Sequence, residues 1–220
     1  MGCGKSFFCG DLIKNIDNLV YDYKRYEETK VILVSNCSES IERLEKICNQ
    51  KNFKFFHWSI LPDLDNLLDT SEDRKHSIMI LEDFSYKISQ KTSSEYMGVF
   101  KNFLVNSRHK NISIIYILHN FDNAMTHRNS IDRFYMKNAT FFTVFKPIDK
   151  KSVYTYLKQF FITDKNFYRT LDMMFSKIGQ ISQYPYIFIQ PRSKLKDNFA
   201  KIRCRLFEEN LIFIEGFNPV

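Results

Sequence analysis

Short apolar runs of the chain alternate with stretches in which apolar residues recur every three or four positions. Continuous runs such as KVILVS (30–35) and SIMILEDF (77–84) are typical of strands buried on both faces. The spacing of Ile41, Leu44 and Ile47 predicts an amphipathic helix between them. Because strands that alternate with helices form parallel sheets, we predict an α/β fold: a mainly parallel sheet with helices on both faces.

The same two patterns locate the other elements. Further strands are predicted at 53–58, 111–120 and 139–146, and further helices at 6–19, 96–104, 153–161 and 167–178. At the end of the chain, PYIFIQP, KIRCRLF and NLIFI follow one another without helices between them, which indicates a short strand meander or an edge addition. Since no repeat or flexible linker interrupts the pattern, we predict a single domain over residues 1–220.

Composition narrows the class of protein. No apolar run approaches the roughly 18 residues that span a bilayer, and the start has no long apolar signal region, so we expect a soluble intracellular protein without membrane contact. The cysteines are odd in number and never spaced C-x-x-C, which argues against a disulfide framework or a zinc site and favours reduced, mostly buried thiols. They are Cys3, Cys9, Cys37, Cys48 and Cys204.

The net charge of +7 permits a polyanionic partner. The segment 61–83 is acidic, whereas 192–205 carries six basic residues and one acid. Such a basic segment is more often a solvated face than a nucleic-acid surface, so the charge alone does not decide between them.

The first residues, MGCGKSFFCG, contain the end of the phosphate-binding pattern G-x-x-x-x-G-K-[ST]. Lys5 is expected to contact the β- and γ-phosphates of a nucleotide, and the Ser6 hydroxyl to bind Mg²⁺. The pattern's first glycine and its strand would lie upstream of Met1, so we expect a truncated start. The predicted cofactor-binding residues are Gly2, Cys3, Gly4, Lys5, Ser6 and Phe7.

Two carboxylates follow the apolar run IMIL. A phosphoryl-transfer site needs one carboxylate that orients Mg²⁺ through a water and one that polarises the attacking water. Glu82 is predicted to take the metal-side role together with Ser6, and Asp83 the water-activating role. Alone, the pair would be an ordinary strand end; its occurrence after a G-K-S triplet favours a nucleotide site for ATP and Mg²⁺.

Polar residues also end the apolar run 111–118. Asn120, with His119 beside it, is a candidate sensor of the γ-phosphate, and a strand-capping asparagine is the alternative. Arg128 is the first candidate and Arg133 the second for an arginine finger that reaches a neighbouring subunit's nucleotide. Each arginine taken singly is more often a surface ion-pair residue.

In this order, the segments resemble the genome-packaging ATPases of double-stranded DNA viruses and Polinton-type elements, in the FtsK/HerA branch of P-loop motors. The resemblance covers nearly the whole chain. Its segments are GCGKS, VILVS, FHWSILPDLDNLLD, IMILEDF, SRHKNISIIYILHN, ATFFTVFKPIDKKSV, PYIFIQP and CRLF. It implies a RecA-like fold and a ring of identical subunits in which ATP hydrolysis drives duplex DNA into a capsid. It also implies a capsid or portal partner and a place in the host nucleus, cytoplasm or virion.

By motif, the resemblance carries the P-loop onto Lys5 and Ser6, the Walker B pair onto Glu82 and Asp83, the sensor onto Asn120 and the following arginine onto Arg128. The chain departs from the family at three points: His119 replaces a glutamine, Glu82 replaces an aspartate, and the first strand is missing.

Two other functions are alternatives, and the departures favour the first of them. One is a catalytically degenerate remnant that binds nucleic acid or a partner protein. The other is a small-molecule P-loop kinase, although no arginine-rich lid is evident.

Overall fold

The computed structural model describes residues 4–16, 28–59, 75–82, 94–118, 138–139, 142–145, 150–157, 167–181, 186–190, 201–204 and 213–214. Helices and strands follow one another along the chain. In order they are α1 (Lys5–Lys14), β1 (Glu28–Val34), α2 (Ser38–Lys51), β2 (Lys54–Trp58), β3 (Lys75–Glu82), α3 (Ser94–Asn106), a short 3-10 helix (Ser107–Lys110), β4 (Ile112–Ile117), β5 (Phe142–Phe145), α4 (Lys150–Leu157), α5 (Phe167–Ile181), β6 (Tyr186–Gln190), β7 (Lys201–Cys204) and β8 (Phe213–Ile214).

Contacts divide the chain into two compact units. The first, which comprises Ser6–Asn120 and Asn129–Tyr135, contains a four-stranded sheet. Its strands lie in the order β2-β1-β3-β4, and every neighbouring pair is parallel. Val34 pairs with Leu81, and Glu82 pairs with Ile117, so the carboxyl ends of β1, β3 and β4 lie at one edge. This confirms the predicted α/β class with a mostly parallel sheet.

Helices cover both faces of the parallel sheet. Alternate residues of a strand point to opposite faces, and the buried residues of β1 and β3 accordingly fall into two clusters. One cluster packs α1 and α2 against the sheet through Cys9, Ile13, Ile16, Val31, Leu33, Leu44, Cys48, Ile78, Ile80 and Ile117. The other packs α3 on the opposite face through Ile32, Val34, Met79, Leu81, Phe100, Phe103 and Ile112. The prediction of a two-sided helical cover is therefore confirmed.

A left-handed residue lets the chain return from α2 to the sheet. Asn52, which caps α2, has φ 58° and ψ 36°, a conformation that asparagine tolerates better than most residues. Its backbone N–H donates back into the last turn of the helix, and β2 begins two residues later. β2 can thus lie parallel beside β1 after a short connection.

The second unit contains an antiparallel sheet in the order β5-β6-β7-β8. Its last three strands pair consecutively, which confirms the predicted C-terminal meander. The strand predicted at 139–146 is present as β5, and it pairs antiparallel with β6 rather than joining the parallel sheet. An apolar run marks a buried strand without specifying its partner, because partner choice depends on contacts distant in sequence.

Further predictions concern membrane contact, the number of domains and the start of the sheet. No helix among the described residues is long and apolar enough to cross a membrane. The single domain over residues 1–220 stays a prediction, and so does the strand expected upstream of Met1.

Candidate functional site

Strand register brings two polar side chains together at the carboxyl edge of the parallel sheet. Because Val34 pairs with Leu81, the next residues on the two strands, Ser35 and Glu82, lie side by side. Val34 and Leu81 face α3, so alternation turns Ser35 and Glu82 towards the face that α1 and α2 cover. This face carries the candidate site.

The Glu82 carboxylate is buried, with 6% of the residue exposed, and hydroxyl groups hold both of its oxygens. Ser35 Oγ donates to Oε2 at 2.6 Å, and Ser6 Oγ donates to Oε1 at 3.2 Å. A buried charge is costly unless such bonds replace its lost hydration. The contact with Ser6 joins two residues 76 positions apart in the chain, and their shared metal site stays a prediction.

Ser40 in the first turn of α2 completes the cluster. Its Oγ donates to Ser6 Oγ at 2.9 Å and lies 3.5 Å from Glu82 Oε1. Ser40 itself is only 2% exposed. The cluster of Ser6, Ser35, Ser40 and Glu82, termed here the serine–glutamate cluster, therefore draws on α1, the end of β1, α2 and β3.

The G-K-S triplet stands at the start of α1, as predicted. Gly4 is buried and has φ 80°, a left-handed conformation that glycine adopts without the steric strain of a Cβ. The helix begins at Lys5, which is half-buried, so Ser6 lies in its first turn. The backbone N–H groups of a first helical turn have no partner within the helix and favour anions, which suits a phosphate.

Phe7, a predicted cofactor-binding residue, contacts α2. The Arg43 guanidinium carbon lies 3.3 Å from the centre of the Phe7 ring, a cation–π contact. The Phe7 side chain remains 46% exposed. Arg43 lies one helical turn after Ser40, so α2 contacts the first turn of α1 through two neighbouring side chains.

Cys9 lies one turn further along α1, on the buried face. Burial, and secondarily the negative charge of Glu82, raises the pKa of the Cys9 thiol to about 12. Burial likewise raises the pKa of Cys48 to about 12. Both thiols are thus protonated at neutral pH. Cys9 and Cys48 are buried free thiols, the kind that the composition predicted, whereas Cys37 is an exposed free thiol.

The donor set of the cluster fits Mg²⁺, which prefers oxygen ligands and retains several waters. The four side chains offer oxygen atoms only: one carboxylate and three hydroxyls. In the described part of the chain, this cluster included, no group of three or more His, Cys, Asp or Glu side chains could hold a metal ion. A cation at Ser6 would therefore depend on one hydroxyl, one nearby carboxylate and water.

Several predicted site residues fall outside the described residues, and their predicted roles are not tested here. They are Gly2, Cys3, Asp83, His119, Asn120, Arg128 and Arg133. Of the other predicted residues, Ser6 and Glu82 are in direct contact. Lys5 and Phe7 adjoin Ser6 in sequence, and Gly4 precedes Lys5.

Sequence reasoning missed Ser35 and Ser40. Ser35 could have been found, because it is the first polar residue after a buried strand, the criterion that identified Glu82. Ser40 gives no such signal. It is a common residue type in the first turn of a helix, and only the packing of α2 beside α1 brings it to Ser6.

Comparisons with protein-family models, with curated proteins and with solved structures found no match.

Proposed function

We propose that the protein is an ATP-hydrolysing subunit of a DNA translocation motor. One observation carries the proposal: Ser6 of the G-K-S triplet donates a hydrogen bond to Glu82 at the end of β3. A hydroxyl at a helix start beside a carboxylate at a neighbouring strand end is the arrangement that a Mg²⁺–nucleotide site requires.

In this proposal, the described residues bind and orient the nucleotide. Lys5 and the first N–H groups of α1 hold the phosphates, and the Ser6 hydroxyl binds the metal. Glu82 orients the metal through one of its waters. When bound, Mg²⁺ neutralises charge on the phosphate oxygens. The side chain of Glu82 is one methylene longer than that of the expected aspartate, and its carboxylate accepts a hydrogen bond from Ser6.

The remaining roles rest on sequence alone. Asp83 polarises the attacking water, and Asn120 hydrogen-bonds the γ-phosphate. Arg128 of a neighbouring subunit stabilises the charge that develops in the transition state. These assignments require a RecA-like fold and a ring assembly, both of which belong to the proposal.

Duplex DNA is the proposed substrate of translocation. The resemblance to viral packaging ATPases supports it, and the net charge of +7 is compatible with a phosphate backbone. A capsid or portal protein is the proposed partner on the same basis. Coupling between DNA binding and hydrolysis separates this function from a degenerate remnant, which would bind DNA without turnover.

The test is ATP hydrolysis with and without duplex DNA. Wild-type protein should hydrolyse ATP faster when DNA is present. Lys5→Ala should lower turnover by about a hundredfold or more, because a positive charge near the transferred phosphate is lost.

Lys14→Ala is the matched control. Lys14 is an exposed lysine in the last turn of the same helix, so its loss should leave turnover unchanged. Equal turnover in Lys5→Ala and wild type would remove the site assignment. An ATP hydrolysis rate that is the same with and without duplex DNA would instead contradict the motor function.

A further inference from the structure

We propose that Ser35 and Ser40 are positioning residues of the metal site: they hold Glu82 and Ser6 in the arrangement that receives Mg²⁺. The inference rests on the proposed function and extends it to two residues outside the G-K-S triplet and the carboxylate pair. It follows from counting the hydrogen atoms and lone pairs of the serine–glutamate cluster.

Ser35 is fixed by four hydrogen bonds. Its backbone N–H donates to the Trp58 carbonyl at 3.2 Å, and its carbonyl accepts from the His57 ring at 2.8 Å. Its Oγ accepts the Cys37 backbone N–H at 3.0 Å and donates its one hydrogen to Glu82 Oε2. Since every polar group of Ser35 has a partner, its hydroxyl cannot turn away from Glu82 without breaking a bond.

Ser40 determines the direction of the Ser6 hydroxyl. A serine hydroxyl has one hydrogen and two lone pairs. The Ser40 hydrogen goes to Ser6 Oγ, because that oxygen is nearer, at 2.9 Å, than Glu82 Oε1 at 3.5 Å. Ser6 then directs its own hydrogen to Glu82 Oε1. The chain of donors therefore runs from Ser40 to Ser6 to Glu82.

This chain prepares Ser6 for a cation. Ser40 uses one lone pair of Ser6 Oγ, and the Ser6 hydrogen faces the carboxylate, so the second lone pair is available to a metal. The 1% and 2% exposures of Ser35 and Ser40 keep water from competing for these bonds. Groups that orient metal ligands in this way act on metal affinity without contacting the metal.

The experiment measures ATP binding by equilibrium dialysis as Mg²⁺ is varied at fixed ATP, and separately in EDTA. Ser35→Ala and Ser40→Ala should each raise the Mg²⁺ concentration for half-maximal binding by roughly tenfold, as expected for loss of a group that orients a ligand. ATP affinity in EDTA should stay within about twofold of wild type, because the phosphate contacts of α1 do not need these hydroxyls.

Ser38→Ala is the matched control, since Ser38 is an exposed serine in the same helical turn as Ser40. It should bind Mg²⁺ and ATP as wild type does. Ser35→Cys and Ser40→Cys keep a side chain of similar size but offer only a weak donor. Each should therefore show the same loss of Mg²⁺-dependent binding as the alanine variant, even where the alanine variant folds poorly.

The outcomes separate the two proposals. If the ATP affinity of wild type does not depend on Mg²⁺, both the proposed function and this inference are overturned. Suppose instead that wild type binds ATP in a Mg²⁺-dependent way, and that the Mg²⁺ concentration for half-maximal binding in a serine variant stays within about twofold of the wild-type value. That result would overturn only the role of that serine. An equal loss of ATP affinity with Mg²⁺ and in EDTA would show a general structural role and would also overturn the inference.

Discussion

Buried polar residues mark both ends of β3. Glu82 ends the strand within the serine–glutamate cluster, and His76 lies near its beginning, 3% exposed. His76 Nε2 is hydrogen-bonded to Ser113 Oγ at 3.0 Å, so this histidine joins β3 to the neighbouring strand β4. The site is at the opposite end of the strand. His76 is therefore expected to act on stability rather than on chemistry.

The pH dependence of folding should report on His76. Burial lowers the pKa of the His76 ring from 6.5 to about 4. The unfolded chain therefore binds a proton between these two values that the folded chain does not, and stability falls as pH decreases through this window. Between about pH 7 and pH 5 the loss from this one group is roughly 2 kcal/mol.

Urea unfolding of wild type and His76→Gln over this pH range measures the effect. Between about pH 7 and pH 5, the free energy of unfolding of His76→Gln should fall by roughly 2 kcal/mol less than that of wild type. His109→Gln, which replaces an exposed histidine of the 3-10 helix, is the matched control. Parallel curves for wild type and His76→Gln would contradict the assignment.

At the scale of elements, the site depends on how closely α1 and α2 pack. Gly10 is buried in α1, and a Cβ there would lie 2.9 Å from Ile47 Cδ1 and 3.6 Å from Arg43 Cδ. Both atoms belong to flexible side chains, so a single Cβ would displace the end of Ile47, whereas a branched side chain would crowd the contact between the two helices. This is a packing requirement, distinct from the conformational one at Gly4.

Gly10→Val should push the two helices apart. We expect a loss of about 1–3 kcal/mol in unfolding free energy, the usual cost of overpacking, together with weaker Mg²⁺-dependent ATP binding. Gly98→Val is the matched control, because Gly98 lies in α3 with open space around its Cβ position. Its effect should be within about 0.5 kcal/mol. Similar losses in both variants would contradict a specific role of close packing at Gly10, since valine has a better helix propensity than glycine.

Local patterns predicted the elements of the parallel sheet well. The run 30–35 ends one residue after β1, and the run 53–58 begins one residue before β2 and ends with it. The helical spacing around Leu44 falls inside α2. These signals are local because burial on two faces demands continuous apolar runs. The antiparallel pairing of β5 was missed for the opposite reason, since it depends on a strand some 40 residues away.

The candidate site could be predicted only in part. Ser6 and Glu82 have motif spacing, so their contact was expected from sequence. Ser40 has no motif, and its role arises from the position of α2 over the end of β3. Contacts made by side chains from separate elements need the packing of the elements, which a single sequence does not display.

At the scale of the whole molecule, the two units differ in construction. The first is a layered sheet with both faces covered, and it holds the serine–glutamate cluster. In the second, Tyr154 of α4 donates to Asp172 of α5 at 3.0 Å, and Lys150 lies 2.7 Å from the same carboxylate. These contacts join α4 to α5 beside the antiparallel sheet. The four residues of the serine–glutamate cluster all belong to the first unit.

The central claim is that Ser6 and Glu82 form a Mg²⁺–nucleotide site, and calorimetric titration of the whole protein with ATP tests it most directly. Wild type should bind ATP more tightly with Mg²⁺ than in EDTA. Ser6→Ala should lose this difference, with affinity in Mg²⁺ lower by about tenfold or more. If wild type binds no ATP, or if Ser6→Ala binds it with the same Mg²⁺ dependence, the account is contradicted.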